Sequence, residues 1–338
     1  MLTSRSRHSR RTTPWDSIAD KTPTQQFLYE LYQEHYKERH PALNTTGEEK
    51  LINAYAPDTC PYCNKIRIKK NGLTKNGVQR YLCLECGKTF TPVTGTIFEN
   101  HKISITEWME YTLNILRYVS INADSWNNKN AFTTSRYWLE KLFILLEESS
   151  EDTKLYGRVW LDETYYSMRA DDIELKENGL KPRGLSRNQL CIGVACDDER
   201  IFCICEGVGQ PTRSSTFEAF RDHIEPGSVL VHDKTGAHSL LVSELHLESE
   251  EYDSYELKAL PDSENPMNRV NEVHARLKNF LYAHNSFDRD SLPGYLNLFS
   301  FAMNPPSDYL EKVELLLEKA FQTHKTLKYR QFYKVKEE

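Results

Sequence analysis

Four cysteines in two pairs are the residues of this chain whose spacing most directly indicates chemistry. The pairs are Cys60-Pro-Tyr-Cys63 and Cys83-Leu-Glu-Cys86, and nineteen residues separate them. Two Cys-x-x-Cys turns at this separation are typical of a zinc ribbon, in which four thiolates hold one zinc ion in a tetrahedron. Four sulfur ligands leave no open position for a substrate, so we expect a structural zinc site.

Positive charge surrounds the predicted ribbon. Glu85 is the only acidic residue from Cys60 to Phe90. Seven basic residues lie in or just beyond the segment between the cysteine pairs: Lys65, Arg67, Lys69, Lys70, Lys75, Arg80 and Lys88. This excess favours contact with nucleic-acid phosphates, so we predict that these seven residues bind DNA. The alternatives are a ribbon that only supports its neighbour and a pair of disulfides in place of the zinc site.

Two aspartates form a second group of chemically informative residues. Asp162 follows the apolar run Val159-Trp160-Leu161, and Asp233 follows the strand-like run that begins at Val229. We therefore expect each carboxylate at the end of a buried strand, although a single aspartate there is usually a solvated turn residue. On adjacent strands the two would converge and could bind Mg²⁺ or Mn²⁺. Such ions support nuclease and strand-transfer chemistry at phosphodiesters.

A predicted long helix over residues 268–282 supplies a third position. Its apolar residues share one face of the helical wheel, while Asn271, His274 and Lys278 align along one edge. Glu272 lies along the other edge. Asn271 and Lys278 could therefore share a site and reach a metal ion and a phosphate respectively.

The composition of the chain indicates the class of protein to which these residues belong. The chain has 338 residues, of which 39% are hydrophobic and 27% are charged, as is typical of a soluble protein with two or three structural units. We find no eighteen-residue apolar run and no signal-peptide core, so we expect a cytoplasmic protein without a membrane partner. The net charge of −6 argues against a uniformly basic DNA-coating protein, although the N-terminal third is basic.

Hydrophobic periodicity predicts two helices after the ribbon. Ser104 is the expected cap of the first, and Thr134 is the expected cap of the second, over residues 135–147. Two helices with a turn between them could form a helix-turn-helix, but a plain helical linker fits as well.

Strands dominate the next part of the chain. We predict an antiparallel meander of three strands over residues 158–164, 189–196 and 201–207. Helices then alternate with strands over residues 228–233 and 255–259. This order predicts a mixed sheet in an α/β or α+β domain.

The motifs resemble those of bacterial insertion-sequence transposases with an N-terminal zinc ribbon, the ISXO2-like group. The resemblance covers roughly residues 56–305 and is most specific at the ribbon. It is carried by Cys60-Pro-Tyr-Cys63, the run from Arg80 to Phe90, Thr94-Gly95-Thr96-Ile97-Phe98, Trp160-Leu161-Asp162-Glu163-Thr164, Arg183-Gly184, Val231-His232-Asp233 and the helix up to Lys278.

The resemblance implies an RNase H-like catalytic domain with a DDE-type triad. Asp162 and Asp233 would hold the catalytic Mg²⁺ or Mn²⁺ ions, and Lys278 would position a phosphate. The family's third residue lies seven positions before that lysine, which is Asn271 here instead of the commoner glutamate. Related members carry this Asp-Asp-Asn-Lys pattern. Glu272 is the rival for the third position, and whether Glu163 takes part stays open.

The expected fold class is a multidomain α+β protein with a zinc β-ribbon, a helical segment and an RNase H-like mixed α/β catalytic domain. The predicted boundaries are an arm and helix over 1–55, the ribbon over 56–98, a helical DNA-binding or linker segment over 99–152, the catalytic domain over 153–305, and a helix and basic tail over 306–338.

The predicted function is that of a DNA transposase of the bacterial cytoplasm, associated with the nucleoid when it binds DNA. It would bind the terminal inverted repeats of its insertion sequence, cleave those ends and join them to target DNA. Because two ends must meet, the resemblance implies at least a homodimer on double-stranded DNA. The alternatives are an inactive or domesticated DNA-binding protein and a metal-dependent nuclease without strand transfer.

Overall fold

A computed structural model describes residues 23, 24, 27, 30, 48–101, 104–127, 130–169, 172–180, 188–284 and 287–334. The chain divides into two compact units, one formed by Met1–Leu145 with Tyr309–Glu338 and the other by Leu146–Asp308. Most of the predicted N-terminal arm and helix, and the Arg183-Gly184 loop, lie outside the described residues.

The strands and helices follow one another along the chain as follows. The strands are β1 (Ile68–Leu73), β2 (Gln79–Cys83), β3 (Thr89–Phe90), β4 (Arg158–Ser167), β5 (Gln189–Cys196), β6 (Ile201–Val208), β7 (Val229–Asp233) and β8 (Glu248–Tyr252). The α-helices are α1 (Glu48–Ala54), α2 (Ile105–Leu116), α3 (Ile121–Asn127), α4 (Phe132–Glu151), α5 (Arg213–Phe220), α6 (Ser239–Glu244), α7 (Ser254–Leu257), α8 (Asn268–Ala283), α9 (Leu292–Met303), α10 (Tyr309–Gln322) and α11 (Tyr329–Lys334).

The first unit contains a small antiparallel sheet with the order β1-β2-β3. The core of this sheet holds two cysteines, Cys60 and Cys83, together with the stacked rings of Tyr81 and Phe90. A core of this size is too small to stabilise three short strands by apolar burial alone. We therefore expect the cysteines to contribute to stability through a bound metal.

Two predicted caps of the helices in this unit have different outcomes. The Ser104 side chain accepts a hydrogen bond from the Glu107 backbone N–H at 3.1 Å and caps α2, as predicted. The predicted cap at Thr134 is wrong, because α4 already begins at Phe132. Thr134 lies within the helix and donates its backbone N–H to the carbonyl of Ala131, just before the helix. Within the described ranges, no helix is long and apolar enough to cross a membrane.

The second unit is built on a five-stranded sheet with the order β6-β5-β4-β7-β8. Strands β6, β5 and β4 are antiparallel neighbours, whereas β4 pairs with β7, and β7 with β8, in parallel. The predicted meander and the predicted mixed sheet are both confirmed. Helices α5 and α6 contribute to the core on one face, where Leu161 and Phe220 are completely buried.

Two predictions about this sheet are wrong in detail. The strand predicted over residues 255–259 lies earlier, at Glu248–Tyr252, because Asp253 accepts a hydrogen bond from the Tyr255 N–H and starts the short helix α7. Asp162 does not end its strand, because β4 continues to Ser167 through pairing with β5.

Candidate functional site

The structure brings the four cysteine sulfurs into one cluster. The Sγ atoms of Cys60, Cys63, Cys83 and Cys86 all lie within 4.8 Å of one another. The Cys60–Cys86 and Cys63–Cys83 sulfur distances are 3.7 and 3.6 Å. A tetrahedron with Zn–S bonds of about 2.3 Å has sulfurs about 3.8 Å apart, so the cluster could hold one zinc ion.

The two cysteine turns have the same backbone geometry. In the first, Asn64 donates its N–H to the Cys60 carbonyl at 2.9 Å; in the second, Gly87 donates to the Cys83 carbonyl at 3.1 Å. Asn64 and Gly87 both adopt positive φ, at 55° and 70°, which asparagine and glycine tolerate best. The Cys86 N–H donates to the Cys83 sulfur and lowers the pKa of Cys83 to about 7. The second turn thus favours the thiolate form of Cys83 that a metal requires. In the first turn a backbone hydrogen bond from Lys65 lowers the pKa of Cys63, but desolvation and the three neighbouring thiols outweigh it and raise that pKa to about 12.

The seven basic residues predicted to contact DNA lie on or beside this sheet. Six of them are exposed: Lys65, Arg67, Lys69, Lys70, Lys75 and Lys88. Arg80, in β2, is partly buried. Two of the exposed cations have local partners, since Arg67 forms an ion pair with Glu85 at 2.9 Å and Lys88 lies 4.6 Å from the Tyr62 ring centroid.

The sheet of the second unit places Asp162 and Asp233 side by side. Parallel pairing of β4 with β7 sets Leu161 opposite His232, so the next residues along the two strands are the two aspartates. Side chains alternate along a strand, and both carboxylates therefore lie on the same face of the sheet. Their convergence depends on strand register and does not require that either one end its strand.

The electrostatics of the pair indicate uncompensated negative charge. Burial, together with the carboxylates of Glu163 and Asp233, raises the pKa of Asp162 to about 7. Burial and Glu163 likewise raise the pKa of Asp233, although His238 opposes this shift. Two partly buried carboxylates on neighbouring strands disfavour each other's ionised form.

Helix α8 brings a histidine to this pair. His274 Nδ1 lies 3.8 Å from Asp162 Oδ2, and burial and Lys278 lower the pKa of His274 to about 4, so its ring is neutral. Asn271 and Lys278 lie about one turn to either side of His274 along the same edge of α8, and both are exposed. Glu272 is also exposed and accepts a hydrogen bond from the Asn268 side chain within the helix.

Two contacts hold the first turn of α8 against the sheet. The Trp160 Nε1–H donates to the Pro266 carbonyl at 2.9 Å, just before the helix. Arg269 donates to the Asp197 carbonyl at 3.1 Å, in the turn between β5 and β6. Trp160 is two residues from Asp162 along β4, so this contact fixes the helix close to the carboxylate pair.

The aspartate pair has the donor chemistry for a divalent cation. Asp233 Oδ1 is buried and has no hydrogen-bond partner among the described residues. Burying such an atom is costly unless another group satisfies it. A hard cation with oxygen ligands, such as Mg²⁺ or Mn²⁺, would both accept its lone pairs and neutralise the paired carboxylates.

Comparison with known protein families identifies the unit that carries this site. Residues 154–304 match the ISXO2-like transposase domain. This part of the chain is a transposase domain of that family. The prediction from sequence that the protein belongs with insertion-sequence transposases is thereby confirmed.

Two individual proteins are similar to parts of the chain. An uncharacterized protein in transposable element ISH50 of Halobacterium salinarum is 33% identical over 63 residues, which are 19% of this chain and 20% of that protein. The match thus spans about a fifth of that relative's length. The structure of a pre-cleavage Mos1 transpososome is 11% identical, with a TM-score of 0.26, over 63% of this chain and 76% of that one. A likeness this weak carries no weight for fold or function.

The opposite face of the transposase domain's sheet holds a buried polar chain. Glu163 lies on this face because side chains alternate along β4. Its Oε1 is 2.8 Å from His238 Nε2, and His238 Nδ1 is 3.1 Å from His232 Nδ1. His232 Nε2 in turn lies 2.9 Å from Ser249 Oγ. Burial opposes the charged form of His238, but the Glu163 carboxylate outweighs it and raises the pKa of His238.

Neither this row of hydrogen-bonded side chains nor a role for His274 was predicted from the sequence. His274 was recognisable on the wheel edge with Asn271 and Lys278, but its contact with Asp162 joins residues far apart in sequence. Glu163 and His238 are 75 positions apart. No local sequence pattern predicts a contact between residues so far apart in the sequence.

Proposed function

We propose that the protein is a transposase that binds the terminal inverted repeats of its insertion sequence, cleaves the DNA ends and joins them to target DNA. One observation carries this proposal. Within a transposase domain, Asp162 and Asp233 lie on neighbouring parallel strands, and one buried oxygen of the pair has no partner among the described residues. That arrangement suits metal-dependent chemistry at a phosphodiester.

The strand order of the transposase domain supports an RNase H-like assignment. Three antiparallel strands are followed by two parallel ones, with the first strand, β4, at the centre of the sheet. In this assignment the central strand carries Asp162 and its parallel neighbour carries Asp233.

In this proposal each residue of the site has a separate task. Asp162 and Asp233 hold Mg²⁺ or Mn²⁺, which when bound activate the attacking oxygen and stabilise the leaving oxygen. Neutral His274 packs against Asp162 and limits the directions in which that carboxylate can turn. Lys278 contacts a DNA phosphate as a flexible point charge.

Asn271 is our choice for the third position near the metal ions. It lies one turn from His274, on the edge of α8 that reaches Asp162, whereas Glu272 is rotated by about 100° and bonds to Asn268. An amide carbonyl can coordinate Mg²⁺ but contributes no charge. The site would therefore hold its second ion more weakly than one with three carboxylates.

The first unit supplies DNA binding in this proposal. Zinc held by the four cysteines would stabilise the β1–β3 sheet, whose exposed lysines and arginines would contact phosphates. We keep the domain boundaries predicted from the sequence as part of the proposal. Because two element ends must be joined, we further propose that at least two copies of the protein assemble on DNA.

The test is a strand-transfer assay with the element's own end DNA in Mg²⁺ or Mn²⁺. Wild type is compared with Asp233→Ala, Asn271→Ala and the matched control Glu272→Ala, one position along the same helix. We expect joined products from wild type and Glu272→Ala, and their loss in the other two variants. If strand transfer survives Asn271→Ala but is lost in Glu272→Ala, the third residue near the metal ions is Glu272 and not Asn271.

The same assay separates the alternative functions. A nuclease would release cut DNA without joined products. An inactive DNA-binding protein would shift the end DNA in a gel but neither cut nor join it with any metal. Cleavage that persists in Asp233→Ala would refute the assignment of the aspartate pair, whatever the products.

A further inference from the structure

A cavity of about 550 Å³ lies in the first unit, outside the transposase domain, and none of the four clustered cysteines lines it. It is lined by residues 97–101, by side chains of α2 and α4, and by residues 326–330 around the start of α11. This volume falls within the range of sites that enclose small molecules, about 300–1,000 Å³. Neither the predicted zinc site nor the proposed catalytic site uses it.

Aromatic rings form much of the cavity wall: Phe98, Trp108, Tyr137, Trp138 and Tyr329. Several of these rings meet edge to face. The Phe98 and Trp108 ring centroids are 5.1 Å apart, and those of Tyr137 and Tyr329 are 5.3 Å apart. A lining this rich in aromatic side chains is suited to contact a planar ligand.

A buried cation also lines this cavity. Lys141, on α4, is only 7% exposed, and its ammonium lies 4.7 Å from the Tyr137 ring centroid. It donates one hydrogen bond, to the Ile97 carbonyl, whereas an ammonium has three donors. No carboxylate among the described residues forms an ion pair with it, and burial lowers the pKa of Lys141 to about 8. A buried charge without a counter-ion is costly and is commonly matched by an anion.

Further positive charge surrounds the cavity. Lys328 and Arg330 also line it, and both are exposed. Glu99 is the one acidic residue in the described lining. The lining is therefore complementary to an anion, while its walls are complementary to a planar ring.

We infer that this cavity binds a small planar aromatic anion of the nucleoside monophosphate class. The base stacks among the aromatic rings, and the phosphate pairs with Lys141 and the cations around it. The ligand is either a free nucleotide or the 5′-phosphorylated terminal nucleotide of a DNA strand. This site is independent of the proposed strand-transfer chemistry.

The experiment is calorimetric titration of the full chain with 2′-deoxyadenosine 5′-monophosphate. Deoxyadenosine and inorganic phosphate, titrated separately, test the two halves of the ligand. A single-stranded pentanucleotide with and without a 5′-phosphate tests the DNA source. We expect the monophosphate to bind at least tenfold more tightly than either half.

Two variants test the cavity itself. Lys141→Met removes the ammonium at nearly constant volume and should weaken monophosphate binding at least tenfold. The matched control is Lys312→Met, because Lys312 on α10 is also buried, is held at a pKa of about 8, and does not line the cavity. Thr134→Trp, which fills the cavity from a partly exposed position on α4, should abolish binding even if Lys141→Met fails to fold.

The results of these titrations distinguish the two sources of the ligand and can overturn the inference. Binding of the free monophosphate assigns a free-nucleotide site, whereas binding only of the 5′-phosphorylated pentanucleotide assigns a strand-end site. The inference is overturned if neither ligand binds wild type with a Kd below about 1 mM, or if binding survives Thr134→Trp unchanged. None of these outcomes depends on strand-transfer activity.

Discussion

At the scale of single residues, the charged form of one partly buried carboxyl group of the transposase domain, that of Glu206, is disfavoured. Burial raises the pKa of Glu206 to about 7, and Glu163 contributes to the shift. Glu206 Oε2 accepts a hydrogen bond from the Thr216 hydroxyl at 2.6 Å, but Oε1 is buried without a partner in the described part of the chain. The charge on Glu206 therefore lowers the stability of the folded chain at pH values above about 7.

The Glu206 shift predicts a pH-dependent effect of Glu206→Gln. Between its ordinary pKa of 4.5 and about 7, the folded chain holds this proton more tightly than the unfolded chain, so stability falls as pH rises through this window. Glutamine removes the penalty and keeps an acceptor for Thr216. We expect the variant to be more stable than wild type by about 1–3 kcal/mol at pH 8 and nearly equal at pH 4.5.

Hydrogen exchange of β5 and β6 peptides in the full chain would measure this difference at both pH values. Glu199→Gln is the matched control, because Glu199 is an exposed glutamate in the turn between the same two strands. If Glu206→Gln changed the stability by the same amount at pH 4.5 and pH 8, the glutamine would act through packing and not through charge.

At the scale of elements, the close packing of β5 against its neighbours depends on one glycine. A Cβ at Gly193 would lie 2.3 Å from Glu206 Oε1 and 2.7 Å from the Phe220 ring. Phe220 is completely buried in the core and cannot move aside cheaply.

Gly193→Ala should therefore destabilise the transposase domain by about 1–3 kcal/mol, despite the better strand propensity of alanine. Gly236 is the matched control, since a Cβ there meets no atom within 4 Å. Gly236→Ala should change stability by less than about 0.5 kcal/mol. Urea denaturation of both variants measures the contrast, and equal midpoints would mean that Glu206 and Phe220 relax at little cost.

The β1–β3 sheet should depend on zinc for its structure. We expect about one zinc per chain in wild type and little in Cys83→Ser, with the segment of residues 56–98 becoming sensitive to protease when the metal is lost. Cys205→Ser is the matched control, because Cys205 is a free thiol in β6, outside the four-sulfur cluster. Elemental analysis and limited proteolysis measure both effects. Full zinc content in Cys83→Ser would contradict the predicted ligand set.

The elements also show which features a sequence can predict. The Ser104 cap and the helix α8 were predictable because capping and apolar periodicity are local. Strand β8 was misplaced because Asp253 caps a helix where strand-like residues had suggested extended chain. The position of Asp162 within β4 depends on how far β5 pairs with that strand, and no residue of β4 alone determines where the pairing stops.

At the scale of the whole molecule, the net charge of −6 is an average over two units whose charges differ, as the proposed function requires. The small β1–β3 sheet and its turns carry six exposed lysines and arginines, whereas the transposase domain holds partly buried carboxylates, among them Asp162 and Glu206. Metal ions on those carboxylates would reduce the repulsion between that domain and DNA phosphates. Affinity for DNA should then come mainly from the first unit and depend strongly on salt.

The double variant Lys69→Ala/Lys70→Ala tests where that affinity resides. Both lysines are exposed on β1, and each phosphate contact contributes about 0.9 to the slope of log K against log salt. We expect the slope for duplex binding to become shallower by about 2, with a similar loss of affinity for element-end and unrelated duplexes. Fluorescence anisotropy over a range of salt concentrations measures both quantities.

The matched control is Lys176→Ala, an exposed lysine of the transposase domain, which should leave the slope unchanged. A loss confined to the element-end duplex would mean that Lys69 and Lys70 read sequence and do not simply hold phosphates. An unchanged slope in the double variant, with a shallower one in Lys176→Ala, would move the DNA contact from the ribbon to the transposase domain. In that case the cysteine cluster would support the chain without binding DNA.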